Sequence, residues 1–174
     1  MATGWSFGGV VAYELARHLL ARGSRVKGLV LIDAPAPQRG VFLPDALIGR
    51  VVDQTGVPHR MGDQLKTQMK RASQALVDYE PSHSSMAVRN LSAVYLRSRE
   101  GMDINAFGEM DPRSCAFLTK KGDKWTIPQW EAALGEKVEV LDIPGDHFSA
   151  FDEQNVRPSL VLLSSPGLPA SNRR

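Results

Sequence analysis

The chain has 174 residues, of which 43% are hydrophobic and 23% charged. That is a globular composition and excludes a disordered or collagen-like chain. Its 21 basic and 19 acidic side chains leave a net charge of +2, and without a long basic run no nucleic-acid partner is expected. A single cysteine, Cys115, excludes a scaffold of internal disulfides. The longest apolar runs, 29–32 and 160–163, fall far short of the roughly 20 residues of a membrane helix, so no membrane partner is expected. No basic segment precedes the first apolar stretch, so no signal peptide is visible. The single Cys115 and the absence of a visible targeting segment suit a cytoplasmic location.

Residues 7–22 read as a helix. Val10, Val11, Leu15, Leu19 and Leu20 fall on one broad face, with Glu14, Arg17 and Arg22 mostly elsewhere. Gly23 suits the position that ends it. Residues 26–33, Val-Lys-Gly-Leu-Val-Leu-Ile-Asp, have the pattern of a strand buried on both faces of a parallel sheet. Pro35 and Pro37 stop it. Helix, tight turn and buried strand make one unit of a doubly wound α/β sheet.

Residues 43–55 and 61–79 read as helices separated by Gly56-Val-Pro58. Such a pair between strands suits a cap inserted over the sheet's C-terminal edge. Residues 91–97 read as the next strand, and 99–122 as a loop broken by Gly101, Gly108 and Pro112. Residues 127–134 read as a short helix, with Thr126 as cap and Pro128 in the first turn. The third strand is 138–143, ended by Pro144-Gly145. Residues 152–156 open a last helix that Pro158 interrupts, and 157–174 read as a disordered tail.

Gly4-Trp5-Ser6-Phe7-Gly8 fits G-x-S-x-G. The pattern alone is weak, since a serine in a glycine-rich turn can simply cap the next helix. Its context is stronger, because it stands immediately before an amphipathic helix that leads to a buried strand. That is where a nucleophile elbow belongs, with the serine in a strained turn and small residues around it. The helix N-terminus adds free N–H groups and a positive dipole for developing negative charge.

A serine nucleophile needs a base, and the base an orienting carboxylate. Of the four histidines, His18 lies within the first helix, and His59 and His83 lie in polar, proline-flanked segments. His147 follows the strand 138–143 through a short loop, at the sheet edge where ligands bind in open α/β folds. It is therefore the favoured base. Two carboxylate positions compete. Asp33 ends the strand after the elbow helix, whereas Glu100 and Asp103 follow the strand 91–97. Either preserves the order serine, acid, histidine. Asp142 and Asp146 are too close to His147 in the chain to orient it from the far side.

The run from Gly4 to Arg17, Gly-Trp-Ser-Phe-Gly-Gly-Val-Val-Ala-Tyr-Glu-Leu-Ala-Arg, followed by Val-Lys-Gly-Leu-Val-Leu-Ile-Asp-Ala-Pro, resembles the thioesterase domains that end polyketide synthases and nonribosomal peptide synthetases. Ile143-Pro-Gly-Asp-His-Phe-Ser149 resembles that family's histidine loop. Leu96-Arg-Ser-Arg-Glu-Gly101 and Lys124-Trp125 are similar to fungal members. The resemblance implies an α/β-hydrolase fold with a helical lid at about 42–79. It implies a catalytic triad of Ser6, Asp33 and His147, since the family's acid usually follows the strand next to the elbow helix. The Phe7 backbone N–H would give half of an oxyanion hole, worth about 3 kcal/mol by analogy with measured donors. The implied partner is an acyl or peptidyl carrier protein domain, whose phosphopantetheine presents a small-molecule acyl substrate. No cofactor or metal of the protein's own is implied.

Only Met1-Ala2-Thr3 precede the motif, where the fold has a strand, several earlier strands and the loop giving the second oxyanion N–H. The expectation is therefore an N-terminally truncated α/β-hydrolase fold, with 1–156 as the C-terminal portion of the domain. Three clear strands are expected, and an elbow helix with much of its apolar face uncovered. Two other readings are a catalytically incompetent fragment that only binds a partner, and a general small-ester esterase.

Overall fold

In the computed structural model, residues 1–54, 57–80, 91–102, 116–119 and 122–156 are described. Four strands run through them: β1 (Ala2–Trp5), β2 (Leu29–Ile32), β3 (Ala93–Ser98) and β4 (Glu139–Ile143). They form one sheet in the order β1-β2-β3-β4, every neighbouring pair parallel. The helices are α1 (Phe7–Ala21), α2 (Asp45–Gln54), α3 (His59–Val77) and α4 (Gly122–Leu134). Chain order and spatial order coincide, and α1 and α4, from the first and last connections, pack on one face of the sheet.

Sequence alternation explains the two layers of core. Leu29, Leu31, Ala93 and Tyr95 face α1 and α4, where they meet Ala12, Tyr13, Ala16, Trp130 and Leu134. Val30, Leu96 and Ile143 point to the opposite face and pack with Ala150. The carbonyl of Ala34 joins the first layer, accepting from Tyr95 Oη at 3.0 Å and Trp130 Nε1 at 3.1 Å. Two buried aromatic polar tips are thereby satisfied on one backbone oxygen. A third cluster holds α2 and α3 through Val41, Leu47, Val51 and Leu76 against Val10 of α1 and Phe117 and Leu118.

Several expectations need correction. Residues 2–5 form β1, a fourth strand, although they carry no apolar run. Register with β2, from Ala2 opposite Leu29 to Trp5 opposite Ile32, makes the strand. In α1, by contrast, the expected uncovered apolar face is present, with Val11, Leu15 and Leu19 49%, 53% and 37% exposed, while its buried side is Gly9, Val10, Ala12, Tyr13 and Ala16. Size decides the contact at Gly9, where a Cβ would come 2.3 Å from the Ala34 Cβ. Helix α4 begins at Gly122, and Pro128 lies inside it rather than in its first turn. The proline costs one intrahelical hydrogen bond, yet the helix continues because Trp130 and Leu134 beyond it are fully buried. Thr126 is buried within α4 and does not cap it.

Other expectations match. Gly23 (φ 77°) ends α1 in a Schellman turn, with the Gly23 N–H on Leu20 O and the Ser24 N–H on Leu19 O, both 2.9 Å. The two helices expected at 43–55 and 61–79 are α2 and α3. The tail at 157–174 and most of the loop at 99–122 lie outside the described residues.

Candidate functional site

The register sets the site's geometry. Trp5 pairs with Ile32, and Ile32 with Leu96. Ser6 and Asp33 are the next residues on their strands, tied to their neighbours by Ser6 N–H on Ile32 O at 3.0 Å and Asp33 N–H on Leu96 O at 2.9 Å. Both therefore stand at the same level of the C-terminal edge. Among the described residues they are also the non-glycine residues at positive φ, 52° and 41°. Such conformations store strain and persist only where the surroundings enforce them.

The surroundings of Ser6 do enforce it. A Cβ at Gly4 would lie 2.0 Å from Gly8 O, and at Gly9 2.3 Å from the Ala34 Cβ. Those two glycines let β1, α1 and β2 meet at the elbow. Gly8, the motif's second glycine, has open space where a Cβ would stand. The close packing thus depends on Gly4 and Gly9 and not on Gly8.

Ser6 occupies the N-cap position of α1, yet its hydroxyl makes no capping hydrogen bond. Instead Oγ lies 3.0 Å from His147 Nε2. His147 and Asp33 are both buried. Asp33 Oδ2 faces His147 Nδ1 at 3.5 Å, a distance for ion pairing but beyond hydrogen-bond geometry, and Nδ1 has no hydrogen-bond partner. The other carboxylate oxygen, Oδ1, accepts the Ser98 N–H at 2.8 Å.

The histidine loop is held from below. Asp146 Oδ1 accepts the N–H groups of Phe148 and Ser149 at 3.0 and 2.8 Å, and the Ser149 hydroxyl at 2.9 Å. Ser149 Oγ in turn accepts the Asp146 N–H at 2.9 Å. Asp146 is thus committed to the loop, and the Glu100 N–H on Gly145 O at 3.0 Å fixes the loop's base. Phe7 is the first residue of α1, so its N–H has no acceptor within the helix.

The remaining candidates lie elsewhere. Glu100 is exposed, and so is His18. His59 is exposed and pairs with Asp63 at 3.1 Å. Asp103 and His83 fall outside the described residues. A cavity beside the acid is lined by Asp33, Ser98, Phe117 and Thr126, among others, and by neither Ser6 nor His147. Among the described residues no group of three or more His, Cys, Asp or Glu could hold a metal ion, and no helix is long and apolar enough to cross a membrane.

Three contributors escaped the sequence reading. Ser98 positions the acid through its backbone, which no side-chain pattern reveals. Trp5, a free position of the motif, stacks on His147 with ring centroids 5.1 Å apart. Tyr79, two residues beyond α3, donates to Glu14 Oε1 of α1. Burial, and then that hydrogen bond to a carboxylate, push the Tyr79 phenol well above its ordinary range. Burial also raises that of Tyr13.

Residues 2–161 match the thioesterase domain family. The chain is 30% identical over 192 residues to an orsellinic acid synthase of Beauveria bassiana, covering 88% of this chain and 8% of that protein. It is 28% identical over 158 residues to the thioesterase AMT4 of Alternaria alternata, covering 88% of this chain and 54% of the other. The chain thus spans about half of one curated relative and under a tenth of the other. Among solved structures it resembles the RedJ thioesterase of the prodiginine pathway of Streptomyces coelicolor, with TM-score 0.65 and 17% identity over 92% of this chain and 61% of that one. It also resembles the NocB thioesterase domain bound to a fluorophosphonate nocardicin G analog, with TM-score 0.62 and 23% identity over 92% and 63%. These likenesses establish an α/β fold of the α/β-hydrolase kind, and the family match establishes that this chain belongs to the thioesterase domain family of serine hydrolases.

Proposed function

We propose that the chain releases an acyl group from the phosphopantetheine of a carrier protein domain in polyketide or nonribosomal peptide biosynthesis. Ser6 is the nucleophile, His147 the general base and Asp33 the orienting acid. The observation that carries this reading is the Ser6 Oγ to His147 Nε2 distance of 3.0 Å, with Asp33 on the far side of the same ring.

Ser6 Oγ attacks the thioester carbonyl while His147 takes the hydroxyl proton. The tetrahedral intermediate collapses and the thiol leaves with that proton. Water, deprotonated by His147, or a hydroxyl of the acyl chain then attacks the acyl-serine and frees it. Asp33 holds the imidazole tautomer and tightens its long contact as the imidazolium forms. The Phe7 N–H donates to the oxyanion. Non-reducing polyketide synthases among the relatives support an acyl chain of polyketide origin.

We also propose that residues 1–156 correspond to the C-terminal portion of the domain and that 42–79 form its lid. The cluster that holds α2 and α3 includes Phe7 and Phe148, the neighbours of Ser6 and His147. A cover packed on those two residues sits where it would shape the acyl chamber.

A fluorophosphonate probe tests the reading. Folded protein should label at Ser6, and Ser6→Ala should abolish the label. Unlabelled folded protein, or labelling that survives Ser6→Ala, overturns it. Faster turnover of p-nitrophenyl esters than of carrier-bound thioesters would favour a general esterase.

A further inference from the structure

We infer that Trp5 is a positioning residue for the reaction, clamping His147 and stabilising its cationic form. The inference rests on the catalytic reading of His147 above. Trp5 is the last residue of β1 and the first variable position of the G-x-S-x-G motif. Its indole lies against the imidazole at a centroid distance of 5.1 Å and an interplanar angle of 28°. Its Nε1–H donates to the backbone carbonyl of His147 at 3.2 Å. The same ring meets Phe148 and Phe151 edge-to-face at 6.3 and 5.4 Å. One side chain therefore grips the ring of His147, its backbone carbonyl and the two phenylalanines that follow it, and it is covalently next to the nucleophile.

The chemistry follows from the indole's charge distribution. An aromatic face is negative, and an imidazolium stacked on it is favoured over neutral imidazole. The reaction turns His147 into that cation each time Ser6 gives up its proton. The groups set against the ring divide by element. Ser6 comes from the elbow, the Asp33 carboxylate from the end of β2, and Phe117 from its 3-10 turn, edge-on at 5.3 Å. Phe148 comes from the loop itself at 4.8 Å, and the adjacent Asp146 carboxylate is occupied by the Phe148 and Ser149 N–H groups. Asp33 thus steadies the cation along the Nδ1 direction, and Trp5 covers a flat face. The Trp5 hydrogen bond to the carbonyl also keeps the ring over Ser6 when the proton moves.

Nuclear magnetic resonance titration of the His147 ring, assigned by difference with His147→Gln, tests this in the resting protein. With Trp5→Leu, which keeps the face dry but removes the π system, the His147 midpoint should move to lower pH by roughly half to one unit. Trp5→Phe, which keeps a ring, should shift it less than half as far. Labelling of Ser6 by a fluorophosphonate should slow about fivefold in Trp5→Leu. Should Trp5→Leu fail to fold, tetrafluorotryptophan at position 5 empties the ring face of negative charge at constant shape, and the same downward shift is expected. An unchanged midpoint in a folded variant, or equal shifts in Trp5→Phe and Trp5→Leu, overturns the inference. If the unmodified chain is not labelled at Ser6, the catalytic reading fails, and the His147 titration still decides the role of Trp5.

Discussion

At the sheet's C-terminal edge, Ser6 and Asp33 each follow a residue paired in the ladder, and the side chains they present converge on a buried histidine. Helices α2 and α3 are attached differently. One apolar cluster, the Leu43 N–H on Ser73 Oγ at 2.8 Å and the Tyr79–Glu14 hydrogen bond hold them to the rest. Their charged contacts, Lys66 with Asp53 and Lys70 with Asp45, are exposed. The edge is specified by backbone register and tolerates little. The helical pair is specified by side chains at its margins and can vary.

The largest test of the contrast is at the acid. Asp33→Asn should lower turnover by about 10⁴-fold while leaving the fold intact, because asparagine tolerates the positive φ found there. Steady-state kinetics with a circular dichroism control would measure both. A mild loss, with a large one for Glu100→Gln or Asp103→Asn, would move the acid to the loop after β3.

At the elbow, Gly4→Ala should cost about 3 kcal/mol or more, because its Cβ would strike the backbone of Gly8. Gly8→Ala should instead stabilise by about 0.5–1 kcal/mol, the ordinary gain of alanine over glycine in a helix. Denaturant unfolding of the pair checks whether the motif's two glycines are as unequal as the geometry says.

In the helical pair, Tyr79→Phe removes a hydrogen bond to a charged acceptor and should cost about 1.5 kcal/mol at neutral pH. The sign with pH follows from the raised phenol. Above about pH 10 an unfolded tyrosine loses its proton while Tyr79 in the folded chain keeps its own, so the folded state loses stability as pH rises. The wild-type advantage over Tyr79→Phe should therefore be full below pH 10 and shrink above it. The smallest effect belongs to Lys66→Ala and Lys70→Ala, each within about 0.5 kcal/mol in thermal unfolding.

Much of this was legible in the sequence, and for uneven reasons. Strand β2 announces itself because burial on both faces leaves a dense apolar run, β4 is legible through Val138 to Ile143 and the Pro144-Gly145 that ends it although it is mostly half-buried, and Asp33 and His147 can be placed at the edge from those two strands. Strand β1 carries no such run, since pairing with β2 and not its own composition makes it extended. The apolar stripe of α1 at Val11, Leu15 and Leu19 and its being uncovered are legible, whereas the side that meets the sheet, Gly9, Val10, Ala12, Tyr13 and Ala16, emerges only from the packing. Trp5 and Ser98 were invisible for a related reason. Their parts are played through a stacking contact and a backbone N–H that exist only once distant strands are adjacent.

The positive φ angles at Ser6 and Asp33 have a consequence for anyone selecting variants of this protein. A screen that rewards heat resistance alone rewards relief of those two conformations, and glycine relieves both. Ser6→Gly and Asp33→Gly would rise early in such a screen while discarding the hydroxyl and the carboxylate. Selection for robustness and selection for turnover therefore pull in opposite directions at the same two codons.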